Sequence, residues 1–158
     1  MRLNLGCGQE PKREGVIGLD KMAGPTVDVV HDCTIVPWHF PDESFEGIIA
    51  WQLFEHLPPW TMLDVMNECW RVLRTDGLLK IGMPAAGSFG FYQDPTHCHT
   101  WNEATPRYFD PQYPHYKIYQ PKPWTVLTSV TYPKALPQGI APGPYNAGLR
   151  IILRKRMP

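Results

Sequence analysis

The sequence carries no excess of either charge: fifteen Lys and Arg residues balance fifteen Asp and Glu in a chain of 158. A generic nucleic-acid binder or a protein of anionic membrane surfaces needs a basic face, and this balance argues against both. Cysteine is scarce. Cys7, Cys33, Cys69 and Cys98 are the four, and none forms a Cys-X-X-Cys pair, so neither a disulfide framework nor a thiolate zinc site is expected. No apolar run reaches membrane-spanning length and no signal-peptide pattern opens the chain, which together with the dispersed thiols points to a soluble protein of the cytoplasm. Helix-forming sequence is also missing from the first half. Only residues 9–15 and 21–26 link the first three apolar runs, whereas a helical crossover between parallel strands takes a dozen residues or more. Proline is abundant, with 18 residues, 12 of them in the second half. The aromatic residues interleaved with them read as irregular but ordered backbone, since disordered segments are poor in aromatics.

What is present reads as one α/β domain over residues 1–158, large enough for a single core. Short apolar runs at 2–5, 16–19, 27–31, 45–51 and 78–83 have the composition of parallel strands buried on both faces. One amphipathic helix is predicted over 59–74: Leu63, Met66, Cys69, Trp70 and Leu73 recur at three- and four-residue spacing, with proline in the first turn and Gly77 beyond the end. A short helix is expected near 102–109, and alternation at 124–132 and 146–156 predicts two further strands. The loop at 133–145, rich in Pro and Gly, needs no secondary structure. Trp38 and Phe40 should anchor the loop at 33–44.

Three features carry chemistry. The first strand runs directly into Gly6-Cys7-Gly8, a turn suited to close approach of a ligand to backbone. Asp20 and Asp32 then close the second and third strands, at the carboxyl edge where open α/β sheets bind ligands. Finally Phe40-Pro41-Asp42-Glu43-Ser44-Phe45-Glu46 leads into strand four, which Gln52 and Leu53-Phe54-Glu55-His56-Leu57 follow. This order of motifs resembles the class I S-adenosylmethionine-dependent methyltransferases that carry a Pro-Asp-X-Ser-Phe entry and a Glu-His-Leu after strand four. The resemblance is close over residues 2–84 and holds in outline beyond.

The resemblance implies a mostly parallel Rossmann-like sheet ending in an antiparallel pair, with S-adenosylmethionine as cofactor. Carried over by position, Gly6, Cys7 and Gly8 would line the methionine part, Asp20 would hold the ribose hydroxyls, Asp32 would accept from the adenine amino group, Cys33 would lie against the adenine and Gln52 would contact the methionyl portion. A nicotinamide site is disfavoured, because the third small residue of the dinucleotide fingerprint is replaced by Pro11. Some relatives hold a divalent metal through Glu-X-X-Glu-His after strand four together with a histidine from beyond strand five. Gln52 takes the first of those positions here, so no metal is expected.

Beyond strand five, Asp94-Pro95-Thr96-His97 lies where an acceptor should enter. Methyl transfer needs positioning and, for an oxygen or nitrogen acceptor, removal of a proton. His97 is the first candidate for that base and His56 the second, with Asp94 beside them. The expected reaction is methylation of a small molecule or glycan-like acceptor; a catalytically silent cofactor-binding protein is the alternative. The shortened crossovers, with strand one starting at the second residue, would leave one face of strands one to three without helices, and the sequence therefore predicts a homodimer through the face or edge near those strands.

Overall fold

In a computed structural model, which describes residues 1–135, 138 and 145–157, the chain forms a seven-stranded sheet. The strands are β1 (Arg2–Leu5), β2 (Val16–Asp20), β3 (Val29–Val30), β4 (Phe45–Trp51), β5 (Leu73–Pro84), β6 (Trp124–Pro133) and β7 (Ala147–Lys155). Their order is β3-β2-β1-β4-β5-β7-β6. The first five run parallel, and β7 is antiparallel to both β5 and β6. The expected loop at 133–145 falls mainly outside the described residues.

Register decides what is core. Leu3, Ile48, Leu79 and Leu153 lie in one row across the sheet, and Leu5, Ala50, Ile81 and Ile151 in the next. All eight are buried, and helix α1 (Met62–Val72) covers them with Val65, Met66, Cys69 and Val72. Trp101, Phe109 and Trp124 join the same cluster. The aromatic second half therefore packs on the helix side.

The opposite face follows from the same pairing. Its rows read Arg2, Gly47, Leu78, Arg154, then Asn4, Ile49, Lys80, Ile152, then Trp51, Gly82, Arg150. Among the described residues no helix lies between β1 and β4, so this side has no helical layer, as the short crossovers predicted. Two rings partly substitute for one. Trp51 lies flat over Gly82, where a Cβ would come within 2.2 Å of the indole, and Tyr132 lies over Gly148 and under the Arg150 guanidinium. Among the described residues no helix is long and apolar enough to cross a membrane.

Three expected boundaries move. The helix predicted over 59–74 starts as a 3-10 turn at Pro59–Thr61 and ends at Val72. Leu73 is extended because it pairs with Phe45, after which the register jumps to Gly47 opposite Leu78. The three extra residues of β5 are taken up where Asp76 has φ +62 and where a Cβ on Gly77 would meet the Arg74 carbonyl at 2.8 Å. Gly77 thus serves a bulge inside a strand, not a helix end. The third strand shrinks to Val29–Val30, since Asp28 turns inward to accept from the Gly18 N–H at 2.9 Å. The helix expected near 102–109 is a 3-10 turn at Thr105–Phe109.

Candidate active site

The carboxyl edge of β1, β2 and β4 opens on a cavity of about 610 Å³, inside the range of roughly 300–1,000 Å³ usual for small-molecule sites. Gly6, Gly8, Asp20, Asp32, Cys33 and Gln52 all line it. Gly6 needs its missing side chain twice over: its φ is +68, and a Cβ would approach Leu53 Cδ1 to 2.9 Å. Beside Gly8 a Cβ would meet nothing within 4 Å, so this backbone faces open space. Asp20 fixes the turn. One of its oxygens accepts from the Gly8 N–H at 2.8 Å and the other from the Met22 N–H at 2.9 Å.

On the neighbouring strand end, Asp32 accepts from the backbone N–H of Thr34 at 2.9 Å and from its hydroxyl at 2.8 Å through the same oxygen. Those two bonds, the backbone one foremost, hold its carboxyl below the usual range. Its second oxygen remains for a ligand. Cys33 is buried, and burial pushes its thiol up to about 12, so it is an inert wall. Behind it the Trp38 indole N–H donates to the Cys33 carbonyl at 3.0 Å, which gives the expected anchor a role in shaping the site. Cys7 departs from the rest. Its side chain leaves the cavity and turns toward the Thr26 carbonyl, with its backbone N–H on the Leu19 carbonyl at 3.1 Å.

The far wall of the cavity holds His56, Leu57, Pro58 and Thr96. His56 belongs to a 3-10 turn, Phe54–His56, whose Glu55 carbonyl accepts from the N–H groups of Cys98 at 2.9 Å and His99 at 3.1 Å. These two bonds bring the loop after β5 onto the turn after β4. His56 and His97 consequently meet edge to face, with ring centroids 4.6 Å apart. The imidazole of His97 is only 6% exposed and does not line the cavity. His56 does.

Hydrogen bonding fixes both tautomers. Thr96 Oγ1 lies 2.7 Å from Asp94 Oδ1 and 3.0 Å from His56 Nδ1. A carboxylate only accepts, so the threonine donates to Asp94 and takes the N–H of His56 Nδ1 on its lone pair. Asp94 stays ionised because the Thr96 N–H, 2.8 Å away, and then the hydroxyl lower its pKa. His97 Nδ1 lies 2.7 Å from the Phe91 carbonyl and must donate to it. With Nδ1 carrying the proton, Nε2 of His56 keeps its lone pair, whereas Nε2 of His97 lies 3.8 Å from Asp94 Oδ2. Burial, then the proximity of His97, lowers the pKa of His56. Glu55 is fully buried, neither of its oxygens has a hydrogen-bond partner, and burial raises its pKa to about 7.

Sequence reasoning gave Thr96 no role and weighed Glu55 only as part of the Glu-X-X-Glu-His arrangement, where Gln52 spoke against a metal. For Thr96 a signal existed, since Asp-Pro-Thr forms the turn in which an Asp accepts from the residue two places on.

Residues 13–81 match the family described as Methyltransferase domain. The chain is 30% identical over 98 residues to a probable S-adenosylmethionine-dependent methyltransferase of Mycolicibacterium smegmatis, an overlap that takes in 52% of this chain and spans 37% of that relative's length. Among solved structures, a SAM-dependent methyltransferase from Archaeoglobus fulgidus superposes with a TM-score of 0.64 at 19% identity, covering 98% of this chain and 85% of that one. A 1,6-didemethyltoxoflavin-N1-methyltransferase from Burkholderia thailandensis, solved with its substrate and S-adenosylhomocysteine, superposes at 0.67 with 15% identity, over 98% and 70% of the two chains. The chain thus has the fold of these S-adenosylmethionine-dependent methyltransferases, and its residues 13–81 resemble the methyltransferase domain. S-adenosylmethionine suits the chemistry of this cavity: carboxylates able to accept hydroxyl or amino protons stand at two successive strand ends, and among the described residues no helix follows the glycine turn to hold a pyrophosphate.

Proposed function

We propose that the chain transfers a methyl group from S-adenosylmethionine to an oxygen or nitrogen of a small-molecule or glycan-like acceptor. The observation that carries this reading is the single cavity bounded by Gly6, Gly8, Asp20 and Asp32 on one side and by His56 and Thr96 on the other. Bound there, the cofactor would supply a methyl on a sulfonium: the acceptor lone pair would bond to that carbon in line as the sulfur–carbon bond breaks and S-adenosylhomocysteine leaves. The protein's own part is to hold donor and acceptor in that line and to take up the acceptor proton. His56 offers the free Nε2 on the cavity wall, with Thr96 and Asp94 fixing its ring. His97 braces it from behind. Calorimetric titration with S-adenosylhomocysteine tests the cofactor half, and an acceptor screen with labelled cofactor tests the transfer. Cofactor binding without transfer to any acceptor class would favour the silent binding protein instead.

Removing either ring should separate binding from turnover. His56→Ala and His97→Ala are expected to keep S-adenosylhomocysteine affinity within a factor of about two while turnover falls roughly 10²–10⁴-fold, the usual span of general acid–base contributions. A larger loss for His97→Ala than for His56→Ala would make His97 the base, and full turnover in both would leave positioning as the whole mechanism.

Self-association belongs to the same reading. The uncovered face exposes Ile49, Trp51, Leu78, Val130 and Ile152 in part or largely. It also carries both signs of charge, Arg2, Lys80, Arg150 and Arg154 beside Glu46 and Asp76. A mixed apolar surface of this kind can complement itself about a two-fold axis. Light scattering across a dilution series should report a mass that falls from two chains to one; a strict monomer that binds no hydrophobic dye would remove the proposal.

A further inference from the structure

We infer that the helix-free face of the sheet is a docking surface for single-stranded nucleic acid, on which Trp51 stacks a base while Arg13, Lys80, Lys134 and Arg150 meet phosphates. The charge balance of the whole chain conceals where the charges lie. On this side Arg2 is matched by Glu46, Lys12 by Asp28 and Arg154 by Asp76. Arg13, Lys80, Lys134 and Arg150 are exposed and enter no ion pair among the described residues. Against these four, the cavities of the face add only Glu10, which accepts from the Asn4 amide at 3.3 Å. A surplus of cations gathered on one face of a neutral chain attracts a polyanion there.

Charge alone does not choose among polyanions, and two features of shape do. Trp51 lies flat on Gly82 and is 38% exposed. The strand seals the inner side of its ring and the outer side stays open, so the indole is a platform for a base that is fixed before any ligand arrives. In the same row Arg150 holds its guanidinium 5.3 Å from the centre of the Tyr132 ring, with the Lys134 ammonium 5.9 Å from it. The second feature is a trough. Arg2 and Ile49 line two adjoining cavities of about 280 Å³ and 400 Å³, the first reaching Arg13 and Trp51 and the second Lys80. Rings carried on a sheet for the bases, with cations beside them for the backbone, are a common mode of single-strand recognition. A duplex keeps its bases stacked within and offers none to Trp51.

This surface is separate from the cofactor cavity and does not depend on the methyl-transfer reading. Trp51 is followed by Gln52, which lines that cavity, so a strand held here lies beside the edge proposed for the cofactor. Ile49 and Trp51 belong also to the surface proposed for the two-fold dimer, and strand and second copy exclude one another there.

The test uses the whole chain at the dilute end of the light-scattering series, with a fluorescein-labelled oligothymidylate of about twelve residues as probe and fluorescence anisotropy as readout. Affinity is expected to fall with salt, log affinity against log salt having a slope of about −2 to −3, as three or four single-strand phosphates require. Lys80→Gln and Arg150→Gln should each make that slope shallower by roughly 0.7. Trp51→Leu keeps an apolar cover on Gly82 and should weaken binding about five-fold or more at an unchanged slope. Circular dichroism checks that each variant is folded. Absence of binding at about 50 mM salt, an unchanged slope in both Gln variants, or unchanged affinity in Trp51→Leu overturns the inference. Equally tight binding of an oligoglutamate of the same length, or of phosphatidylserine vesicles, overturns it too, since the face would then read charge and no base. S-adenosylhomocysteine calorimetry on the same samples keeps the two readings apart: cofactor bound without the strand counts against this surface only, and the strand bound without cofactor counts against the methyltransferase reading only.

Discussion

Asp20→Ala should weaken S-adenosylhomocysteine binding by roughly ten-fold or more while the protein stays folded. The carboxylate lines the cavity at the end of β2, in position to accept from the paired hydroxyls of a ribose. Loss of a hydrogen bond to a charged group costs on the order of 1.5–3 kcal/mol, and each 1.4 kcal/mol is about a factor of ten in affinity. A second effect acts in the same direction. Asp20 also accepts from the Gly8 and Met22 N–H groups, so its removal frees the glycine turn that faces the ligand. Asp20→Asn separates the two, because an amide keeps one acceptor for the turn but loses the charge. Calorimetry on both variants decides the matter, and unchanged affinity in a folded Asp20→Ala protein would strike out the ribose assignment.

The largest loss of stability is expected from Glu68→Ala. Glu68 is 6% exposed and stands on the α1 face turned toward the loop after β3. One of its oxygens accepts from the Trp38 N–H and from Arg71 Nη2, both at 2.6 Å, and the other from Arg71 Nε at 2.9 Å. Arg71 also reaches the Trp38 carbonyl and Asp42. The pair therefore clamps the loop at 33–44 onto the helix in place of the missing crossover helix. Breaking a buried pair from one side costs about 3–5 kcal/mol. The partial exposure of Arg71 puts the expected value near the lower end, about 3 kcal/mol, a large part of the roughly 5–15 kcal/mol that holds a domain folded. Urea unfolding should show the midpoint falling with an unchanged slope. Glu68→Gln, which retains an acceptor for Trp38, should lose less, and a loss under about 1 kcal/mol in Glu68→Ala would mean that the loop is held by its apolar contacts alone.

The parts of the site that were legible in the sequence are those that backbone geometry dictates. A glycine turn after an apolar strand and an acid at the end of each following strand fix their own places, because strand ends in a parallel sheet share one edge. Gly6, Gly8, Asp20 and Asp32 came together for that reason. The missing helices were legible by simple length. Side-chain direction in irregular backbone was not: Cys7 sits in the predicted turn but points away from the cavity. His97 and His56 were both singled out, yet nothing in their spacing indicated that two bonds to the Glu55 carbonyl would press the rings together. Glu55 is the hardest case: its Glu-His motif was visible, but the burial of its carboxylate without a partner has no sequence signature. The end of α1 failed for a related reason. Leu73 fits the helical period, but pairing with Phe45 across the sheet outweighs one more helical turn.

The one-sided cover of the sheet also bears on thermodynamics. With helices on one side only among the described residues, these form two layers where three are usual for a parallel sheet. Less apolar surface per residue then leaves water on folding. The heat-capacity increment of unfolding follows that surface, so the stability curve of the isolated chain is flatter than that of a three-layer domain of equal length. Any partner that covers the rows around Ile49, Trp51 and Ile152 steepens it, and the curvature of stability against temperature becomes a measure of how fully that face is occupied.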